Sequence, residues 1–231
     1  SVGCVGGSVP FLLFFYGLNQ GTSAGAGFIH KTLFIWVAVI AVFFLKERLT
    51  RWHVAALAVL AGGNFLLLGW PANWMGSGEL LMLAATVLWA VEAVIARKAM
   101  ADISANVAAF GRMFFGAMVM LGYLSLAGKM EAISTLDASQ AGWIGVTALF
   151  LLGYVTCYYS GLKHAPASMV TGILVMGSVI TSSFYAVFDA RRYTVEEIVG
   201  LLMITGAERA IGLLAHHVSA IKQKKAIPVG S

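Results

Sequence analysis

The chain has 231 residues, 60% of them hydrophobic and 11% charged, with a formal net charge of +5. Its mean hydropathy of +0.87 lies outside the range of a soluble globular domain. The basic residues are spread over alternate loops and not gathered on one helix, which argues against a nucleic-acid partner and for a lipid bilayer as the main surrounding.

Eight apolar runs follow in order, at about 1–18, 22–45, 52–70, 79–98, 104–127, 139–161, 166–188 and 194–216, each near the roughly 17–25 residues that a spanning helix needs. Ten-residue blocks of alternating hydrophobicity are absent, so the expected class is an all-α membrane protein and not a barrel. The first run opens at Ser1 with no basic stretch and no small-residue cleavage site. It does not read as a signal peptide, and the sequence reads as a fragment that has lost its beginning. Gly3 and Gly7, then Gly17, Gly21 and Gly25, are spaced four apart, a pattern that lets helices approach closely in lipid. Cys4 and Cys157 fall inside runs and are expected to be buried free thiols.

The second run carries His30 and Lys31 roughly nine residues in, where the lysine snorkels, bonds to another helix or lines an outer vestibule. The fourth run holds Trp89 and Glu92, and the fifth holds Arg112 and Phe115. Charges at such depth cost roughly 2.5–3.5 kcal/mol each on insertion scales, so they require partners or a function. Counted from helix ends near Lys98 and Ser104, Glu92 and Arg112 lie roughly 9 and 12 Å deep on neighbouring antiparallel helices. They are expected to pair, either as a structural ion pair or as a site for a proton or substrate. Trp89 and Phe115 stand three residues from these charges and would flank them with rings, a lining suited to an amphipathic or zwitterionic molecule, although aromatic residues at that spacing also serve as plain core.

In the eighth run, Glu208 and Arg209 point about 100° apart around one helix and cannot face a single partner. They would bridge to another helix or subunit. His216 and His217 close this run without an acidic or cysteine companion, so no metal is expected there. No nucleophile elbow, zinc-protease motif or phosphate-binding glycine loop occurs, so the chain reads as a non-enzyme without catalytic residues or cofactors.

Two further patterns organise the runs. A shift of 144 carries Tyr16–Gly62 onto Ser160–Gly206 without a gap, matching Gly17-Leu18 to Gly161-Leu162, Phe44 to Phe188, Thr50 to Thr194 and Gly62 to Gly206. With the end of the second run assigned to the cytoplasm, Lys46, Arg48, Arg51, Arg97, Lys98, Lys163, Lys222, Lys224 and Lys225 all fall inside. Only Lys129, Arg191 and Arg192 fall outside. Both termini are then cytoplasmic, and the two copies run in opposite senses, as in transporters built from inverted repeats.

Leu45-Lys46-Glu47-Arg48-Leu49-Thr50 resembles the glycine-glutamate-arginine-leucine-threonine turn of the EamA-type drug/metabolite transporters. Gly17-Leu18 with Ala24, Gly161-Leu162-Lys163-His164-Ala165-Pro166-Ala167-Ser168, Leu88-Trp89-Ala90 with Ala96-Arg97-Lys98, and Gly111-Arg112-Met113-Phe114-Phe115-Gly116-Ala117 are similar to other turns and helix starts of that family. The resemblance implies a ten-helix inverted-repeat fold of which eight helices are visible, the first two being absent. Residues 1–70 would form the last three helices of the first repeat, 71–78 an outer loop, 79–216 the second repeat and 217–231 a basic cytoplasmic tail. It also implies a secondary transporter of the inner membrane for a small metabolite or drug-like molecule, working by alternating access, with the last helix at the periphery and a homodimer as a candidate assembly. The candidate binding residues remain those read from depth, charge and spacing: Glu92, Arg112, Trp89, Phe115 and Lys31. The competing reading is a non-transporting membrane fragment or assembly subunit. The sequence departs from the family pattern in three places. Arg191 stands where the second glutamate turn is expected, Phe34 and Ser178 replace prolines, and Glu208-Arg209 interrupts the last run.

Overall fold

The computed structural model describes residues 8–69 and 76–226, and all regular structure among them is helical. In hydrocarbon the backbone has no water to bond, so each apolar run satisfies its own amides and carbonyls. In chain order the helices are α1 (Val9–Gln20), α2 (Ser23–Lys31), α3 (Leu33–Phe44), α4 (Arg51–Leu68), α5 (Ser77–Ala99), α6 (Ala105–Leu126), the short α7 (Glu131–Ser134), α8 (Ala138–His164), α9 (Ala167–Ile173), α10 (Met176–Phe188) and α11 (Val195–Ala226).

Among the described residues, six segments are long and apolar enough to cross a membrane: Ser23–Phe44, Arg51–Leu68, Ser77–Ala99, Ala105–Leu126, Ala138–His164 and Ala167–Phe188. They match six of the eight expected runs. The first run is described only from Ser8, and the last, expected to stop at 216, continues as helix to Ala226. Part of the presumed tail is therefore helix. Gly3, Cys4, Gly7 and most of the expected 71–78 loop lie outside the described residues, as do the side chains of His216 and His217.

Local hydrogen bonds repeat at the 144-residue shift. After α3, Leu45 N and Glu47 N both donate to Ala41 O, and after α10, Asp189 N and Arg191 N both donate to Tyr185 O. The residue between each pair is left-handed, Lys46 at φ 53° and Ala190 at φ 48°. Thr50 Oγ1 then accepts from His53 N at the start of α4, as Thr194 Oγ1 accepts from Glu197 N at the start of α11. Each threonine is an N-cap satisfying an otherwise orphaned amide.

The second and seventh runs are both interrupted. Between α2 and α3, Thr32 N and Thr32 Oγ1 both donate to Ile29 O, at 3.0 and 2.6 Å, and Trp36 Nε1 donates to Thr32 Oγ1. Between α9 and α10, Val175 N donates to Gly172 O and Ser178 N to Val175 O, replacing α-helical bonds with tighter turns. Such breaks at membrane depth persist where they line a cavity or are buried in protein.

Glycines set the two closest helix contacts. A Cβ on Gly63 of α4 would stand 2.8 Å from Gly200 O of α11, and one on Gly200 would stand 2.7 Å from Gly63 O. In the contact of α1 with α5, a Cβ on Gly17 would meet Gly78 O at 2.7 Å, and one on Gly21 would meet Met82 Cε at 2.8 Å. The four-residue glycine spacing thus serves backbone approach, where dispersion between helices replaces a hydrophobic drive. Cys157, expected to be buried, is exposed on α8, because that helix turns a broad apolar flank away from the other helices.

Candidate functional site

Glu92 and Arg112 meet as their depths require. Arg112 Nη1 lies 3.0 Å from Glu92 Oε2, and both residues are almost fully buried. Tyr159, on α8, donates its hydroxyl to Glu92 Oε1 at 2.6 Å, and Arg112 Nη1 reaches that hydroxyl at 3.5 Å. Three helices therefore converge on one carboxylate, each supplying a side chain from its inward stripe. Both oxygens of Glu92 accept hydrogen bonds, which lowers the cost of holding a charge away from water.

Tyr159 escaped the sequence reading. Its signal was the run Tyr154, Tyr158 and Tyr159 in a mostly apolar helix, where hydroxyls need partners.

Above this group opens a cavity of about 250 Å³ bounded by Phe11, Phe14, Trp89, Glu92, Arg112 and Tyr154 among others. Trp89 packs edge-on to Phe11 at 5.1 Å and to His30 at 5.1 Å, with Phe14 tilted at 5.5 Å. The arrangement offers aromatic walls over a charged floor, which accommodates an amphipathic molecule with a polar or charged end. Phe11 and Phe14 supply the second wall expected of Phe115.

Phe115 is 56% exposed and takes no part in this lining. The inward stripe of α6 is Ala105, Ala108, Ala109, Arg112 and Gly116, and Phe115 lies on the order of 80° from its centre at 100° per residue. A three-residue spacing makes neighbours of Arg112 and Phe115 without turning both inward.

Lys31 lies in an adjoining cavity of about 420 Å³, which shares His30, Leu33 and Tyr154 with the first. The two helix breaks meet here: Lys31, Leu33 and Phe34 come from one side, and Leu174, Val175 and Met176 from the other. Glu208 is 4% exposed, with neither carboxylate oxygen hydrogen-bonded, whereas Arg209 is exposed. The expected divergence of these neighbours is present, with Glu208 buried among the helices of its own chain.

Two further carboxylates hold the starts of the interrupted runs. Glu79 Oε1, on α5, accepts from Thr22 N at 3.1 Å at the start of α2. Glu47, in the turn after α3, accepts from Ala167 N at 2.7 Å and from Ser168 Oγ at 2.8 Å at the start of α9. Each satisfies amides that the first helical turn leaves open and places negative charge at the positive end of the helix. The glutamate turn was legible in sequence, but its bond to a segment 120 residues away was not. Glu79 read only as the flank of an apolar run.

Residues 1–69 and 76–208 match the EamA-like transporter family. Among 26 matching solved chains, one crystal structure of a protein superposes with a TM-score of 0.72 at 20% identity, covering 92% of this chain and 75% of that one. That likeness concerns the fold. No curated protein matches the sequence. With the family match spanning nearly all of a helical chain whose described residues include six segments long and apolar enough to cross a membrane, this multi-pass membrane protein belongs to the EamA-like transporter family.

Proposed function

We propose that the chain is a secondary transporter moving a small metabolite or drug-like molecule across the cytoplasmic membrane by alternating access of two inverted repeats. The observation that carries this reading is the meeting of two interrupted helices, α2–α3 and α9–α10, around the cavity beside Lys31. Discontinuous helices in corresponding positions of two repeats are where secondary transporters place their substrate sites. The family membership and the recurrence of both turns at the 144-residue shift support the same conclusion.

In this reading the eight runs are eight spans, residues 1–70 and 79–216 belong to the two repeats, and the C-terminus is cytoplasmic. Trp89, with Phe11 and Phe14, grips the apolar part of the substrate, while Glu92 exchanges a proton or holds a cationic group against Arg112. Lys31 lines the neighbouring half of the path. Phe115 has no part in it. Glu79 and Glu47 bind the starts of the interrupted helices and hold the two ends of the path in register.

The test is efflux from proteoliposomes. Vesicles containing the full chain are loaded with an isotope-labelled metabolite and drug mixture, and the retained species are followed by mass spectrometry with and without a proton gradient. One or more species should leave faster than from protein-free vesicles, and Glu92→Gln should abolish the gradient dependence. Retention of every species at the protein-free rate overturns the reading.

A further inference from the structure

The turn that carries Glu47 also bounds a third cavity, which shares no lining residue with the aromatic cavity or with the one beside Lys31. It has a volume of about 560 Å³, and its polar lining includes Lys46, Arg48, His53, Arg97 and Lys98. The cations come from two separate loops, the turn after α3 and the end of α5, and Glu47 is the acid among them. Both carboxylate oxygens of Glu47 are engaged at Ala167 and Ser168, and Lys46, Arg48, Arg97 and Lys98 outnumber this one acid, so the basin keeps a net positive charge.

His53 supplies an independent observation. It is 5% exposed, and its Nε2 has no hydrogen-bond partner within the protein. Its Nδ1 lies 2.7 Å from the Thr50 hydroxyl, which also caps α4. Because Thr50 Oγ1 already accepts from His53 N, its proton is assigned to Nδ1 and the ring's own proton to Nε2. That assignment makes Nε2 a buried N–H donor without an acceptor, on a residue that lines the basin. Leu45, Leu49 and Met169 give the same cavity an apolar side.

We infer that this basin is a binding site for a phosphate group, carried by a phospholipid headgroup or by a soluble metabolite, with His53 Nε2 as its buried donor and Arg48, Arg97 and Lys98 as its counter-charges. Guanidinium and ammonium groups from two loops match a multiply charged oxyanion, and the apolar wall suits an adjoining acyl chain or carbon skeleton. The site is separate from the aromatic cavity and does not depend on what that cavity transports.

The full chain in nanodiscs tests this with two arms. Phosphatidylcholine discs are titrated with inorganic pyrophosphate at constant ionic strength, and a second series carries increasing phosphatidylglycerol without soluble phosphate. The thermal unfolding midpoint should rise saturably in at least one arm, and the arm that responds identifies the source. The double substitution R48Q/K98Q, at two exposed positions, should raise the half-saturation point roughly tenfold, since two of the counter-charges are lost. His53→Phe should weaken binding as well, whereas His53→Gln keeps an N–H near the Nε2 position and should retain it. Absence of saturation in both arms, or unchanged binding by R48Q/K98Q, overturns the inference. Binding by H53F equal to that of the unmodified chain overturns it too.

Discussion

A single buried carboxylate, Glu92, ties three helices together through Arg112 and Tyr159. Removing one member of a buried ion pair strands the other and costs about 3–5 kcal/mol, whereas replacing both by apolar groups of similar size is often tolerated. Glu92→Gln and Arg112→Met should each lower the yield of monodisperse protein in detergent, and the double variant should recover much of it. Strict additivity of the two losses would show that the residues do not interact. Tyr159→Phe removes one donor and should cost about 1–3 kcal/mol, read as a lower unfolding midpoint. The pair was legible because two charges at similar depth on adjacent helices have few other partners in lipid. Tyr159 and Glu208 were less so, since a sequence gives a helix position and not the direction of its inner face.

At the scale of elements, six of the eight expected runs were legible as long apolar helices because lipid enforces them, and two turns that the 144-residue shift pairs share their backbone hydrogen bonds. The breaks at Thr32 and at 174–175 were not legible, because no proline or glycine pair marks them. Left-handed Lys46 and Ala190 sit where a residue with a Cβ is strained, and the family's turn carries glycine at the position of Lys46. Ala190→Gly, at an exposed site, should therefore stabilise the protein by about 0.5–1 kcal/mol, seen as a higher thermal midpoint. The opposite test is Gly200→Leu. Its Cβ would stand 2.7 Å from Gly63 O, which is backbone that cannot step aside. Overpacking of this kind costs about 1–3 kcal/mol or more and should lower the midpoint and the folded yield. An unchanged midpoint would mean that α4 and α11 pack elsewhere.

For the whole molecule the decisive property is the sense in which the two copies cross the membrane. From the positive-inside distribution we propose that the Lys46–Thr50 turn and the Arg97–Lys98 pair face the cytoplasm and the Ala190–Thr194 turn faces outward. Arg48 and Arg192 occupy equivalent positions under the 144-residue shift, in turns with the same backbone hydrogen bonds. Equivalent turns on opposite faces are what an inverted repeat requires, whereas a parallel repeat would put both on one face. Single cysteines at Arg48, Lys98, Lys129 and Arg192, in a chain with Cys4 and Cys157 changed to serine, separate these cases in intact cells. An impermeant thiol reagent applied from outside should label positions 129 and 192 and spare 48 and 98 until the membrane is opened. Labelling of 48 and 192 from the same side would remove the inverted repeat, and with it the argument that the interrupted helices approach the cavity from opposite faces.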